Sequence, residues 1–179
     1  EGTHFSNPGG NLDRSIKLIS NIPYQITSPL LYRLEKYAAH FSRIVLMVQK
    51  ELADRLCALP SVKDYGQMTI RLGLQFEISV ELSVAACKFD PAPKVDSSVI
   101  LMKPRENRPQ INHLDLFYRL LNAVFLHRRK TLRNNLISLI GKEKTAKVDN
   151  RGIIDLKRRG ETLDEQEFIA LADLISDLA

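Results

Sequence analysis

In the run Asn21-Ile22-Pro23-Tyr24, each residue has something to offer a flat amine. The amide oxygen of Asn21 and the backbone carbonyl of Ile22 are hydrogen-bond acceptors. Pro23 restricts where that carbonyl points, through its own fixed φ and its constraint on the preceding residue. Tyr24 adds a ring on which a planar group can stack. An amine on an aromatic ring is a poor nucleophile because its lone pair is delocalised, so alkylating it means holding its hydrogens while an electrophile meets the lone pair. Such a site works by positioning and needs no strong general base, since the cationic product sheds its proton afterwards. The same four letters also occur as an ordinary strand-to-helix turn, so the rest of the chain must decide between the readings.

A second segment, Phe89-Asp90-Pro91-Ala92-Pro93-Lys94-Val95-Asp96-Ser97, sets an aromatic ring at the head of a loop stiffened by two prolines. Phe89 can cover the other face of a flat ligand, or plug a core beneath a proline turn. Stacking a nucleobase on an aromatic ring contributes ~1–3 kcal/mol, which offsets part of the few kcal/mol needed to extrude it from a helix.

The third segment is Phe125-Leu126-His127-Arg128-Arg129-Lys130-Thr131-Leu132-Arg133-Asn134-Asn135-Leu136, whose cations flank an apolar helical face and point away from a packed domain. The chain's net charge of +5 is unevenly spread. Residues 1–104 carry 12 Lys/Arg against 10 Asp/Glu, residues 105–159 carry 14 against 5, and residues 160–179 carry none against 6. A charge run is commonly only a solvated face, but a net +9 in one segment is the footprint of a phosphate-binding surface. Lys157-Arg158-Arg159 extends it, and the acids from Glu161 onward read as a solvated helix face.

The elements that position these segments follow from periodicity. Asn7-Pro8-Gly9-Gly10-Asn11 is a loop by turn chemistry. Ile16, Leu18 and Ile19 make a short strand that breaks at Asn21, after which Thr27 or Ser28 caps a helix with Pro29 in its first turn and Leu30, Leu31, Leu34, Tyr37 and Ala38 at helical spacing. Residues 44–48 are continuously apolar, as in a parallel strand buried on both faces, and residues 49–59 form a helix stopped by Pro60. Tyr65-Gly66-Gln67-Met68-Thr69 is the start of a helix or a substrate-side loop. Residues 76–86 alternate as a strand exposed on one side, and residues 97–103 form the last strand, antiparallel because the connection is short, so the sheet is mixed. A strand that ends at Asn21 delivers the tetrapeptide to the carboxyl edge of an open sheet, where ligands bind in α/β folds. Beyond Pro104 the pattern is helical, on the faces of Leu114, Phe117, Leu120, Leu121, Val124 and Phe125, then Leu132, Leu136, Leu139 and Ile140, then Phe168, Leu171, Ala172 and Ile175.

Other chemistries have little support. Cys57 and Cys87 are thirty positions apart and read as buried thiols of a reducing compartment. His4, His40, His113 and His127 show no metal-ligand spacing, so no metal is expected, and no nucleophile elbow is present. No apolar run reaches the ~20 residues of a membrane span, and the start lacks the character of a signal peptide. The expectation is a soluble, cytoplasmic monomer.

Taken in order, Asn21-Ile22-Pro23-Tyr24-Gln25-Ile26-Thr27-Ser28-Pro29, Val48-Gln49-Lys50-Glu51, Tyr65-Gly66, residues 89–98 and Arg128-Arg129-Lys130-Thr131-Leu132-Arg133-Asn134 resemble the ribosomal small-subunit rRNA adenine dimethyltransferase family, over about residues 16–140. The resemblance implies the carboxy-terminal half of a Rossmann-like class I methyltransferase sheet over residues 1–106, followed by a small all-α RNA-binding domain over 107–179. It further implies S-adenosylmethionine as methyl donor and two adjacent adenines near the 3′ end of small-subunit rRNA as acceptors. Asn21, Ile22 and Pro23 would orient the amine, with Asn21 also at the donor; Tyr24 and Phe89 would sandwich the base; Arg128, Arg129, Lys130 and Arg133 would hold the RNA. Gly9-Gly10 follows no strand and is not the family's glycine-rich donor loop, which is expected upstream of Glu1, so residues 1–179 alone are expected to be inactive. The alternatives are a large-subunit adenine methylase of the antibiotic-resistance type, sharing the tetrapeptide and the Phe-x-Pro-x-Pro wording, and a non-catalytic RNA-binding assembly or transcription factor of this fold.

Overall fold

The computed structural model describes residues 16–178; the loop expected at residues 7–11 lies outside them. Strand β1 (Ile16–Asn21) leads through a 3-10 turn into helix α1 (Thr27–Tyr37), followed by β2 (Phe41–Gln49), α2 (Lys50–Leu56), α3 (Gln67–Gly73), β3 (Phe76–Val84) and β4 (Ser97–Pro104). Helices α4 (Leu114–Leu126), α5 (Leu132–Ile140), α6 (Lys142–Arg151) and α7 (Glu165–Asp177) complete the chain. The sheet order is β1-β2-β4-β3, with β1 and β2 parallel and β4 antiparallel to both its neighbours. The fold is the α/β mixed sheet with trailing helices that the sequence implied.

One face of the sheet is packed. Leu31 and Leu34 of α1, Ala53 and Leu56 of α2 and Leu72 of α3 bury Ile44, Leu46, Val48, Phe76, Ile100 and Met102. The opposite face carries Ile19, Val45, Met47, Val99, Leu101 and Leu82 by register. Here the expectation that residues 44–48 are buried on both faces fails: Val45 and Met47 are half-buried, and Ile19 is 79% exposed. Helices cover a single face among the described residues, so the other half of each apolar run has no partner layer. Strand β3 departs from its expected pattern for a related reason. Phe76 is buried, but Val80 and Leu82 are exposed, because this edge strand runs past the helical layer and bulges between those two residues.

Two local expectations are also corrected. Neither Thr27 nor Ser28 caps α1: the 3-10 turn Tyr24–Ile26 continues into the helix, and Thr27 Oγ1 donates back to the Pro23 carbonyl at 3.5 Å. Cys57 and Cys87 are exposed rather than buried, since Ala53 and Leu56 take the inward positions of α2 and Cys87 lies in a short 3-10 turn. Helix α6 has no counterpart among the helices expected from the sequence, and it buries only Thr145 and Val148.

Helices α4 to α7 share a second core built on Phe117, Leu120, Leu121, Leu132, Leu136 and Phe168, which also takes in Tyr65, Ile70 and Leu74. Tyr65 is therefore a strap rather than part of a substrate-side loop: it is 4% exposed, and its hydroxyl donates to the Leu163 carbonyl at 2.8 Å. Gly160 sits against α4, where a Cβ would fall 1.8 Å from Cγ1 of Val124, so only glycine fits without displacing the helix.

The two cores also meet through a buried ionic knot. Glu35 of α1, 5% exposed, accepts two bonds from Arg71 Nε and one from Arg71 Nη2 at 2.7 Å, and a further one from the Tyr118 hydroxyl of α4 at 2.9 Å. The Arg71 guanidinium lies over the rings of Tyr32 and Tyr118, 4.7 and 4.5 Å from their centroids. Burial and the neighbouring Glu35 carboxylate push the Tyr118 phenol well above its ordinary range, so it stays a donor.

Candidate functional site

Strand register brings the sequence-selected segments to one edge of the sheet. Asn21 ends β1 opposite Met47, Gln49 ends β2 opposite Ser97, and Ser97 begins β4 opposite Val84, the end of β3. Cross-strand partners share a face, so Asn21 lies on the same face as Met47 and Ser97 on that of Gln49. Both the tetrapeptide and the Phe89 loop leave from this edge.

Asn21 is exposed and Ile22 half-buried. Among the described residues, neither the Asn21 side chain nor the Ile22 carbonyl is engaged in a hydrogen bond. The next carbonyl, that of Pro23, is already taken by the Ile26 N–H at 3.1 Å and by Thr27. Two adjacent acceptors are thus left open where the chain turns from strand to helix. Tyr24 is half-buried, and its hydroxyl is 2.6 Å from Oγ of Ser97, a residue with no exposed surface.

The Phe89 loop is pinned at its base. The Asp96 carboxylate accepts from the Ala86 N–H at 2.9 Å, and the Asp96 carbonyl accepts from the Lys50 N–H at 3.0 Å, tying the loop to the start of α2. Phe89 follows the 3-10 turn Ala86–Lys88 and is half-buried; the Asp90-Pro91 peptide is cis. Ser97 and Asp96 fix this edge; the sequence alone assigns Ser97 to the start of the last strand and Asp96 to the loop before it, with no role in the site for either. A hydroxyl and a carboxylate that directly follow a proline loop and open a strand were the available signal.

The basic run does not lie on one helix. Helix α4 ends at Leu126, residues 127–130 turn, and Thr131 caps α5 by accepting from the Asn134 N–H at 3.4 Å. Arg129 and Lys130 are exposed and make no ion pair among the described residues. Arg128 pairs with Glu161 at 3.0 Å, and Arg133 pairs with Asp149. Residues 156–159 lie alongside, with the Leu132 and Arg133 N–H groups donating to the Arg158 and Leu156 carbonyls. Arg158 itself is turned inward onto Glu167 and Thr162, and its guanidinium holds the Glu167 carboxyl below the usual range. The acids after residue 160, expected as a solvated face, thus neutralise part of the cationic segment in space: Glu161 on Arg128, Glu165 near Arg105 and Glu167 on Arg158.

A cleft of about 630 Å³ runs between the sheet's helices and α4, lined among others by Tyr32, Glu51, Arg55, Lys63, Gln67 and Arg128. Glu51 lies in the first turn of α2 and Arg128 at the basic turn, so the cleft reaches from α2 to that turn; Asn21, Tyr24, Phe89 and Ser97 are not among its lining residues.

The family model described as ribosomal RNA adenine dimethylase matches residues 10–176. The chain belongs to that family. Relatives include the ribosomal RNA small subunit methyltransferase A of Lactobacillus acidophilus, 40% identical over 164 residues that cover 90% of this chain and 55% of the relative. That of Syntrophus aciditrophicus is 42% identical over 173 residues, 94% of this chain and 62% of the relative. The chain therefore spans somewhat over half the length of these curated relatives. Among solved structures, a dimethyladenosine transferase from Plasmodium falciparum superposes with a TM-score of 0.74 at 24% identity, over 95% of this chain and 71% of that one. The 23S rRNA methyltransferase ErmE superposes at 0.63 with 18% identity, over 89% and 65%. Those two likenesses are of fold. No helix among the described residues is long and apolar enough to cross a membrane.

Proposed function

We propose that this chain is the base-binding and RNA-holding part of an S-adenosylmethionine-dependent enzyme that dimethylates the exocyclic amines of two adjacent adenosines near the 3′ end of small-subunit rRNA. The carrying observation is the pair of unengaged acceptors, the Asn21 amide oxygen and the Ile22 carbonyl, on the turn that carries Tyr24 at the carboxyl edge of the sheet. They receive the two hydrogens of an extruded adenine's amine and leave its lone pair facing away from the protein acceptors. Tyr24 stacks on one face of the base, and Phe89, on a loop anchored by Asp96, on the other. The cationic product passes its proton to water, so no buried base is required. The names of the 40% and 42% identical relatives favour the small subunit over the large one.

S-adenosylmethionine, when bound, supplies an electrophilic methyl group. The described residues contribute Asn21 to that side of the site and no glycine-rich turn after a strand, so they fit the donor only in part. Residues 1–179 in isolation are expected to give no methyl transfer to small-subunit RNA; turnover above background in a tritiated-methyl assay would refute this.

The RNA runs from the base site to the exposed Arg129 and Lys130, with residues 107–179 as the RNA-binding domain and cytoplasm as its place of action. Replacing both Arg129 and Lys130 with glutamate weakens RNA binding and flattens the log–log salt dependence by roughly 2, on the order of one for each lost phosphate contact. The measurement is a filter-binding titration at several salt concentrations; an unchanged slope would remove these residues from the interface. Primer extension across the modified small-subunit RNA tests the reaction itself, a stop at adjacent adenosines being the expected signature.

A further inference from the structure

We infer that Ser97 is a positioning residue for the methyl-transfer reaction, holding the ring of Tyr24 where the base must stack; the inference rests on the adenine-site reading above. Ser97 lies in the middle of the sheet, with β2 on one side through Gln49 and β3 on the other through Val84. It is fully buried, so its Oγ is a fixed point. Tyr24 hangs from the end of β1, two strands away, roughly 10 Å across the sheet. Its hydroxyl nonetheless reaches Ser97 at 2.6 Å, over the end of β2, a contact spanning 73 positions in sequence.

The physical consequence concerns the ring rather than the hydroxyl. Tyr24 sits in the 3-10 turn Tyr24–Ile26, which buries none of its residues fully, so backbone packing alone leaves its side chain free to swing. A hydrogen bond at the far end of the ring fixes the axis from Cβ to Oη, and with it the place of the ring centroid. A stacking platform whose centroid is set before the base arrives does not have to be ordered during binding, and that gain appears in the step that needs alignment. Ser97 is also the residue directly after Asp96, which anchors the Phe89 loop. One strand start therefore sets the positions of both aromatic residues.

The test uses the intact protein that carries this chain, with Tyr24→Phe, Ser97→Ala, Ser97→Thr and the Tyr24→Phe/Ser97→Ala pair. Rates are measured on unmodified RNA, and a second RNA with 2-aminopurine at the target position, which lacks the 6-amine and is not methylated, reports stacking alone. Tyr24→Phe and Ser97→Ala each lower kcat about fivefold to tenfold, the range for loss of one hydrogen bond, with KM for RNA within about twofold. The double variant is no slower than the slower single, because both remove the same bond. Ser97→Thr retains the hydroxyl and stays within about twofold of wild type. The 2-aminopurine emission, quenched on the Tyr24 ring, rises in both single variants. If Ser97→Ala folds poorly, Tyr24→Phe alone carries the kinetic and fluorescence readings. Wild-type kcat and emission in the single variants, a loss confined to KM, or multiplicative effects in the double variant would overturn the positioning role. Wild-type activity in Tyr24→Ala would instead overturn the adenine-site reading beneath it.

Discussion

Replacing Tyr24 with alanine in the intact protein lowers methyl transfer by on the order of 100-fold while RNA affinity falls less than about threefold. Stacking on one aromatic ring contributes ~1–3 kcal/mol, and a misplaced base costs further through lost alignment with the donor, where about 1 Å of error is enough for roughly 100-fold. On the proposed reading affinity is spared because the phosphate contacts lie elsewhere: the exposed Arg129 and Lys130 sit on the turn between α4 and α5, directly after Arg128, which lines the cleft. Single-turnover kinetics at saturating RNA, paired with equilibrium binding, separates the two effects. Equal activity in the variant would mean that the open acceptors beside Tyr24 serve something other than a stacked base.

Replacing Glu35 with alanine destabilises the protein by about 2–3 kcal/mol, below the ~3–5 kcal/mol for breaking a fully buried ion pair because the Arg71 side chain keeps 22% of its surface exposed. Arg71 would keep its place between Tyr32 and Tyr118 but lose every carboxylate contact, and Tyr118 would lose its acceptor. Glu35→Gln, which keeps an acceptor for Tyr118 but not the charge, should fall between alanine and wild type. The knot joins α1 and α3 to α4, so its loss also loosens the helical part from the sheet. Denaturant unfolding of both variants measures this; a loss below about 1 kcal/mol for Glu35→Ala would show that the surrounding apolar contacts hold the junction without it.

The strands and helices over residues 16–104 were legible because they obey simple periods. Ile44, Leu46 and Val48 mark a strand, and Leu31 and Leu34 a helical stripe, and each of these residues is buried. What was misjudged was which faces find partners: nothing in the spelling of Val45 and Met47 distinguishes a face packed by helices from one that is half-open. Helix α6 was missed since a short helix that buries only Thr145 and Val148 carries no amphipathic signal. The location of the candidate site at a strand end was readable from Asn21 onward. Its anchors were not, because Tyr24 and Ser97 lie far apart in sequence and meet only through the strand order β1-β2-β4-β3. Charge was half-legible. Counting along the chain gave a strongly basic segment, but long-range pairs such as Arg128 with Glu161 cancel part of it in space, leaving Arg129, Lys130, Lys157 and Arg159 among its open cations.

Mass spectrometry of RNA digested after reaction shows whether the Asn21 to Tyr24 turn presents an adenine amine for dimethylation in small-subunit rRNA. Small ribosomal subunits from cells lacking this activity are incubated with the intact protein and S-adenosylmethionine, and methylated fragments are mapped. The expected result is dimethyladenosine at two adjacent positions near the 3′ end, lost with Tyr24→Ala. Methylation confined to large-subunit RNA, or dimethyladenosine formed equally by the Tyr24→Ala protein, would contradict it.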